Sequence, residues 1–529
     1  MKYQILDINE QEIASKYHLS SLVAKVLTKA NLNDSQIQEL LTHSDTLTKS
    51  NAKCVKEACK RILQAKENHE KVFVGGDYDT DGICSTAIMK DVLDKLQIEN
   101  GYYIPDRFKE GYGLSSHTVE LAHAKGYSLI ITVDNGVKAF DAIRKAKELG
   151  IDIIVTDHHQ IDEEVPADIV VHPLYMEERF KYLSGAGVAL ELALNLIGEN
   201  ETHIALAAIA LIGDVMPYWL ETRIIIQKGI KLIQKGVLPS VSSLLRKDIE
   251  IDETALAFQV VPKLNSIARM KDNSNVNTLV PFLLSNNLKS ISSYSAALNK
   301  VNESRKKQST LMVQKAEEMI DDSPILVLYD DRFEEGIAGL VAGKIANSYA
   351  KPCVILTKSE DSIKGSGRSI PGFNMFEFFK DFEELTQFGG HEMAVGLSIQ
   401  KEDLENFKNK IISKYVSLHL EPKEAKQDTI LVNPLNITVE AIEDLNHLKP
   451  VPKEIGKLEF ALKQPEIVKK INYEKVTKYT FLNHVDGVLF KYQKIEEVEE
   501  PSFVVGTFNI NSFRGIKTPQ ILIDSLEID

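Results

Sequence analysis

The sequence predicts a multidomain α/β protein: a parallel-sheet lobe, a long connecting helix, a smaller α/β lobe and a C-terminal β domain. Three observations carry this reading. Short apolar runs alternate with helical patterns between about residues 71 and 172, the stretch 290–320 holds neither proline nor glycine, and roughly the last hundred residues favour β structure. A length of 529 residues suggests about three or four domains.

Lys71–Gly75 (KVFVG) reads as a strand, and Ile83–Leu96 as a helix with Ile83, Ala87, Ile88, Val92 and Leu96 on its apolar face. Leu129–Val133 is a second strand, Val137–Leu149 a helix, Ile153–Val155 a third strand and Ile169–Val171 a fourth. Strands that are apolar throughout and alternate with helices imply a parallel sheet covered on both faces. From about 185 to 285 the pattern is mostly helical, and Ser290–Ile320 reads as one long polar helix. A second α/β unit follows: strand Ile325–Leu328, helix Ile337–Tyr349, strands Cys353–Leu356 and Ile363–Ser366. Glu421–Gln427 is a charged break suited to a linker. Phe503–Ile510 and Gln520–Ile523 are the clearest late strands, with Arg514-Gly515 as the turn between them. The implied segments are 1–50 (helical), 51–285 (first lobe), 286–322 (connecting helix), 323–420 (second lobe) and 428–529 (β domain).

Composition excludes several classes. The four cysteines, Cys54, Cys59, Cys84 and Cys353, form no CxxC pair, so neither a zinc ribbon nor a disulfide framework is supported, and a reducing cytoplasm is the expected compartment. The N-terminal MKYQILDINEQEIASKYH lacks the apolar core of a signal peptide. The longest apolar run, Ile204–Ile212, has nine residues, roughly half of what spans a bilayer, so it reads as a buried helix and no membrane partner is expected. A net charge of −14 argues against non-specific attraction to nucleic acid or anionic lipid. A nucleic-acid enzyme of this composition must gather positive charge locally, partly through bound metal ions.

Polar clusters follow three of the predicted strands: GDYDTDG, DNG and DHH. In open α/β sheets ligand sites gather at the carboxyl ends of strands, so the three clusters can converge. Asp77, Asp79 and Asp81 alternate through the first. Three carboxylates this close repel one another unless cations offset them. Alone, they are compatible with a solvated acidic turn. A calcium loop is excluded, because Ile88 stands where the closing glutamate belongs. Asp134 follows the second strand and Asp157-His158-His159 the third. Asp214, in GDVMP, follows the apolar helix. Imidazole mixed with carboxylate suits Mn²⁺, with Mg²⁺ possible, better than an all-oxygen calcium site. Five aspartates and a histidine exceed what one ion needs, and a pair of divalent cations sharing a carboxylate is the natural arrangement.

GDYDTDG, VDNG, TDHH and GDV, in this order, resemble the four motifs of the DHH phosphoesterases. The resemblance implies that Asp77, Asp79 and Asp134 hold one metal, and that Asp81, Asp134, His158 and Asp214 hold the other. It places His159 just outside the metal shell, toward the substrate phosphate, and Asp157 behind a histidine. FGGHEMAVG (388–396) and KGSGRS (364–369), with the helix GIAGLVAGKIA, resemble the DHH-associated lobe. Arg368, Ser369, Gly389, Gly390 and His391 are then substrate-binding candidates, while Gly339 and Gly343 read as helix packing.

Three further segments are similar to the RecJ branch of the family. RFKEGYGLS (107–115) resembles a loop near the active site, which brings in Arg107 and Tyr112. PKLNSIARM (262–270) resembles a segment whose arginine, here Arg269, contacts phosphate. GTFNINSFRGIKTPQILI (506–523) resembles the end of an oligonucleotide-binding (OB) domain, where Tyr473, Tyr479, Phe481, Phe490, Tyr492 and Phe508 can stack on bases or fill the core. The family's pattern is altered at Ala268, at LKPVPKEIG (448–456) and at His172, where asparagine is more usual. The RecJ resemblance implies a 5′-to-3′ exonuclease of single-stranded DNA, releasing 5′-mononucleotides in repair and recombination. It implies catalytic roles for Asp134, His159 and Arg269, and a RecQ-type helicase and a single-strand-binding protein as partners. Two alternatives stand beside it: a phosphodiesterase of short oligoribonucleotides or cyclic dinucleotides, and an inactive DHH-derived scaffold that binds DNA.

Overall fold

The computed structural model describes all residues except 1–2, 248, 272–274, 360–361, 420–425, 483, 492–494, 496–497, 499 and 528–529. The chain divides into two compact units. One comprises Lys49–Val215 and Gly229–Glu424; the other comprises Met1–Thr48, Met216–Lys228 and Ala425–Asp529.

The first described strand, β1 (Tyr3–Leu6), was not legible in the sequence, and it belongs to the sheet of the second unit. Four residues in a helix-rich segment carry too little pattern to declare a strand. Its pairing is made far along the chain, parallel to the strand Gln427–Val432.

In the larger unit, β2 (Lys71–Gly75), β3 (Asn100–Tyr103), β4 (Tyr127–Val133), β5 (Asp152–Thr156) and β6 (Ile169–Val171) form a five-stranded sheet in the order β3-β2-β4-β5-β6. Every pairing is parallel, as the apolar strands predict. Only β3 escaped the sequence reading; its NGYY is half-buried and short of β-branched residues. The order reverses between β2 and β4, and at such a switch point the strand ends leave an open crevice. Helices α1 (Thr80–Lys95), α2 (Gly185–Ile197) and α3 (Glu201–Gly213) pack together beside the sheet. Every residue of α3 from His203 to Ile212 is buried. That explains the apolar run: a helix covered all round has no polar face.

The predicted connecting helix is a single 30-residue helix, α4 (Leu288–Glu317), N-capped by Asn287. Beyond it, β7 (Leu326–Tyr329), α5 (Ala338–Tyr349), β8 (Cys353–Lys358), β9 (Ser362–Arg368), β10 (Leu385–His391) and β11 (Ala394–Gln400) make a second five-stranded sheet, ordered β10-β11-β9-β8-β7. The segment FGGHEMAVG, which reads as a glycine-rich turn, is in fact most of the β10–β11 hairpin.

The smaller unit is built on β1 and on β12 (Gln427–Val432), β13 (Phe460–Lys463), β14 (Ile467–Asn472), β15 (Val476–Phe481), β16 (Asp486–Phe490), β17 (Phe503–Phe513) and β18 (Ile516–Glu527). They form one mixed eight-stranded sheet, ordered β1-β12-β13-β17-β18-β16-β15-β14. Residues 421–425 of the expected linker lie outside the described residues, and Gln427 already belongs to β12. Arg514 and Gly515 do form the β17–β18 turn, with φ of 52° and 81°, the left-handed pair that a type I′ hairpin requires. Of the stacking candidates, Tyr479 and Phe481 are buried, Phe508 stacks on Phe460, Tyr473 is exposed, and Tyr492 lies outside the described residues. Among the described residues, no helix is long and apolar enough to cross a membrane.

Leu190 on α2 is fully buried where α2 meets α1 and α3. Leu190→Ala is expected to destabilise the larger unit by about 2–5 kcal/mol, read as a lower urea midpoint. Leu174→Ala, at a leucine 68% exposed, is expected to move it by less than about 0.5 kcal/mol.

Candidate metal centre

Strands β2, β4 and β5 each end in a residue run that turns sharply, and each run delivers a carboxylate or an imidazole. After β2 the chain passes through Asp77 to Asp79, which N-caps α1 by accepting hydrogen bonds from the amides of Asp81 and Gly82 at 2.9 and 3.1 Å. This is an ordinary aspartate cap put to a second use, because it folds Asp77, Asp79 and Asp81 around one hollow. Gly82 is required there, since a Cβ would lie 2.5 Å from the Asp77 carbonyl oxygen.

After β4, Asp134 adopts a left-handed conformation with φ 61°. Aspartate tolerates this region better than most residues, at a cost that persists where surroundings enforce it. Its amide donates to the Thr156 carbonyl at 3.0 Å, and Asn135 ties the turn to Gly75, Val133 and Leu114. After β5, the Asp157 carboxylate accepts from the amides of His158, His159 and Val137 and lies 2.7 Å from His159 Nδ1. Asp214 caps the C-terminus of α3.

Three groups of ligand-type atoms result, each within 4.8 Å: Asp77, Asp79 and Asp134; Asp81, His158 and Asp214; and Asp134, His158 and His159. His158 Nε2 lies 3.1 Å from Asp134 Oδ1, 3.5 Å from Asp81 Oδ2 and 3.6 Å from Asp214 Oδ2. The residues of the two sets that the resemblance implies thus lie together, with Asp134 in the first group and beside His158 of the second. Among the described residues, Asp77 Oδ1 and Asp134 Oδ1 are buried without a hydrogen bond, since His158 Nε2 lies near Asp134 Oδ1 but not in hydrogen-bonding geometry. Buried carboxylate oxygens without donors are costly, and a cation is the partner that fits them.

The electrostatics point the same way. Burial, and then the charge of a neighbouring aspartate, pushes the Asp77, Asp79 and Asp134 carboxyls above the usual range, and Asp214 up to about 8. Burial also lowers the His158 imidazole, which favours the neutral form that ligates metal. His159 behaves differently. Burial opposes its protonation, but the hydrogen bond and charge of Asp157 outweigh burial and raise it to about 9. With Nδ1 turned to Asp157, Nε2 is the atom left for a substrate.

Several supporting residues escaped the sequence reading. Asp81 accepts from Ser184 Oγ and from the amides of Gly185 and Ala186 at 2.7–2.8 Å, at the N-terminus of α2. A helix start is a favourable place for a carboxylate. A Cβ at Gly185 would sit 2.4 Å from Asp134 Cβ, so only glycine brings this helix end so close. The signal was present as Ser-Gly at the head of an apolar run. His172 accepts from the Leu174 amide through Nδ1 and places Nε2 2.9 Å from the His159 carbonyl. It pins the DHH turn with an acceptor and a donor, both of which an asparagine also offers.

Tyr112 donates to the Asp134 carbonyl at 3.0 Å and lies 3.2 Å from His159 Nδ1. Tyr78 packs edge-on to Tyr112, and the Arg107 guanidinium lies 5.4 Å from the Tyr78 ring centroid. Arg269 is lowered to about 10 by burial and by the charges of Arg107, Arg305 and Arg368. Four arginines therefore share one region, and Arg305, on α4, was not anticipated. Arg368 is braced by Ser366 Oγ and the Gly367 carbonyl, and Gly339 makes room for it, since a Cβ there would lie 2.6 Å from Nη2. Ser369 spends its hydroxyl on the carbonyls of Ile370 and Phe373. Gly389, Gly390 and His391 lie on the exposed edge strand β10, and no hydrogen bond links them to the carboxylates.

Asp134→Asn removes one charge from a buried group of like charges. At pH 8 in EDTA the variant is expected to be more stable than the wild type, by the order of 1 kcal/mol. Mn²⁺ is expected to raise the melting temperature of the wild type and not of the variant. Thermal melts with and without metal measure both.

Comparison with known proteins places this geometry. Residues 71–213 match the DHH family N-terminal domain and residues 322–417 the DHHA1 domain. The single-stranded-DNA-specific exonuclease RecJ of Bacillus subtilis is 32% identical over 557 residues, an alignment covering 99% of this chain and 70% of that one. The Mn²⁺ complex of RecJ from Thermus thermophilus superposes with a TM-score of 0.84 at 21% identity, covering 98% of this chain and 78% of that one. A manganese-bound exonuclease RecJ structure has a TM-score of 0.62 at 26% identity, with coverage of 70% and 96%. The chain belongs to the RecJ family of DHH-domain proteins.

Proposed function

We propose that this protein is a metal-dependent exonuclease of single-stranded DNA, acting 5′ to 3′ and releasing 5′-mononucleotides. The observation that carries the reading is the pair of buried, donor-less oxygens on Asp77 and Asp134 within a six-residue ligand set, in a chain 32% identical to a single-stranded-DNA-specific exonuclease. Asp77, Asp79 and Asp134 would hold one divalent cation, and Asp81, Asp134, His158 and Asp214 the other. Mn²⁺ suits the mixed imidazole–carboxylate set best, with Mg²⁺ possible. When bound, two such ions supply the Lewis acidity that activates water near neutral pH and neutralises the phosphate.

The remaining steps belong to side chains. Asp157 fixes the ring of His159 through Nδ1, which leaves Nε2 for a phosphate oxygen. Arg107, Arg269, Arg305 and Arg368 concentrate positive charge on a chain whose net charge is −14. The unwound strand would reach the enzyme in the cytoplasm, from a RecQ-type helicase and a single-strand-binding protein.

The test uses purified protein, Mn²⁺ and end-labelled single-stranded DNA, beside duplex DNA, dinucleotides and cyclic dinucleotides. Stepwise loss from the 5′ end of the long single strand is expected, abolished by EDTA and by Asp134→Ala. Cleavage confined to dinucleotides would instead identify a small-oligonucleotide phosphodiesterase, and no cleavage at all a scaffold. In EDTA, Arg269→Ala is expected to weaken binding of all single-stranded sequences about equally. The slope of log affinity against log salt should fall by about 0.7, the contribution of one single-strand phosphate. Fluorescence anisotropy across a salt series reads it.

A further inference from the structure

Asp214 is the least secured member of the ligand set. Its side chain is 31% exposed, against 1–10% for Asp81, Asp134 and His158. Asp81 is held by three donors, whereas among the described residues no hydrogen bond reaches the Asp214 carboxylate. Its position is therefore set by the backbone on either side. Before it lies α3; after it the chain runs through residues 215–219 into a helix at Leu220–Gln234. Val215 and Leu220, which bracket that connection, are left-handed, with φ of 56° and 57°. This region is costly for a β-branched residue, and Val215, 68% exposed, recovers little of the cost by packing. Such a conformation persists only where the flanking structure enforces it.

The helix Leu220–Gln234 supplies that enforcement, because it is fastened at two levels. At its start the Leu220 amide donates to the Glu39 carboxylate, and Glu221 Oε1 accepts from the Thr48 amide at 2.7 Å. Arg223, only 2% exposed, donates to four carbonyls: Pro450 at 2.6 Å, Leu40 and Leu448 at 3.3 Å, and Lys449 at 3.4 Å. A guanidinium fork is the side chain that can serve several acceptors from so enclosed a place. These partners and Met216–Lys228 all belong to the smaller unit. Farther along the same helix, Gly229 belongs to the larger unit and is pressed against α3. A Cβ there would lie 2.2 Å from Ala208 Cβ and 3.1 Å from the Ile204 carbonyl oxygen. Glycine weakens a helix interior, and the close approach is what requires it here. The two helices thus form a hairpin with Asp214 at the start of its connection and Arg223 tying down its second arm.

We propose that Arg223 is a positioning residue for the metal centre. By anchoring the helix Leu220–Gln234 it holds the Asp214 carboxylate where the second cation needs it. The anchor thereby tunes the affinity for that cation and not for the one assigned to Asp77, Asp79 and Asp134. Without it the left-handed connection relaxes, and the carboxylate that no donor holds moves with it. Asp77, Asp79 and Asp134 sit beyond the ends of β2 and β4 and keep their places. This role rests on the two-cation assignment made above, and it gives the N-terminal segment and the turn around Lys449 a part in metal binding that neither plays by contact.

Titration of the full chain with Mn²⁺, followed by the electron paramagnetic resonance signal of the free ion, counts the sites and gives each affinity without substrate. The wild type is expected to bind two ions. Arg223→Met, which removes the donors, is expected to weaken one of them about ten-fold or more and leave the other unchanged. Val215→Gly loosens the left-handed connection and is expected to weaken the same ion. Glycine is at ease at that φ, so this variant keeps the test valid if Arg223→Met folds poorly. The double variant is expected to bind no more weakly than the poorer single one, because both act through one connection. Val505→Ala, in the core of the smaller unit's sheet, controls for lost stability and is expected to leave both affinities alone. Affinity unchanged or tighter in either single variant, equal weakening of both ions, additive losses in the double variant, or a like loss in Val505→Ala overturns the positioning role alone. A wild type that binds fewer than two ions refutes the two-cation assignment and takes the role with it.

Discussion

Repulsion among buried carboxylates governs the architecture of the larger unit. Asp77, Asp79, Asp81 and Asp134 are drawn to one hollow at the ends of β2 and β4, where all but the partly exposed Asp79 are shut away from water. Their mutual charge works against folding, and three of the four residues are held by something rigid. Asp79 is held by the amides it caps, Asp81 by the start of α2, and Asp134 by a backbone turn that Asn135 and Thr156 lock in place. Donors on the protein satisfy some of the oxygens and leave others bare. The bare ones face inward, so the same constraint that costs stability also prepares sites for cations.

The sheet order explains why these residues meet. Parallel strands send all their carboxyl ends the same way, and the reversal between β2 and β4 opens a gap there. Chain segments separated by scores of residues then supply neighbours: Asp81 and Ser184, Asp134 and Gly185, Asp157 and Val137. The glycines at 82 and 185 belong to this construction rather than to turns in general. Each stands where another segment's backbone or Cβ passes within 2.6 Å of a missing side chain.

Much of the larger unit was legible because its signals are local. Apolar strands, their polar terminal residues and the proline-free helix can be read without knowing what they touch, and the six proposed ligands follow from them. What escaped depends on partners distant in sequence. β1 and β3 are short and weakly patterned, and pairing alone makes them strands. The β10–β11 hairpin resembles a turn because glycines depress strand propensity, and the pairing that makes it two strands is visible only in the register. The brace of Asp81 by Ser184 and the approach of Arg305 to Arg269 likewise join residues that no spacing rule connects. His172 shows the converse: a residue unusual for the family still performs a hydrogen-bonding role that an asparagine offers, and a substitution table alone would flag it as a loss.

The overall negative charge also acquires a physical meaning. A chain at −14 repels a polyanion at long range, so binding must be won at short range, where screening is weak and geometry counts. The four arginines lie in the same unit as the carboxylate hollow, and burial lowers Arg269, Arg305 and Arg368. An anion sharing the space would offset that burial. The carboxylates, for their part, need cations. A phosphodiester would meet both demands at once, between the guanidinium groups and the cations that Asp77, Asp79, Asp81, Asp134, His158 and Asp214 would hold. Neither half of the site is electrostatically complete without it, and selectivity for a phosphate-linked substrate follows from that mutual incompleteness rather than from any overall attraction.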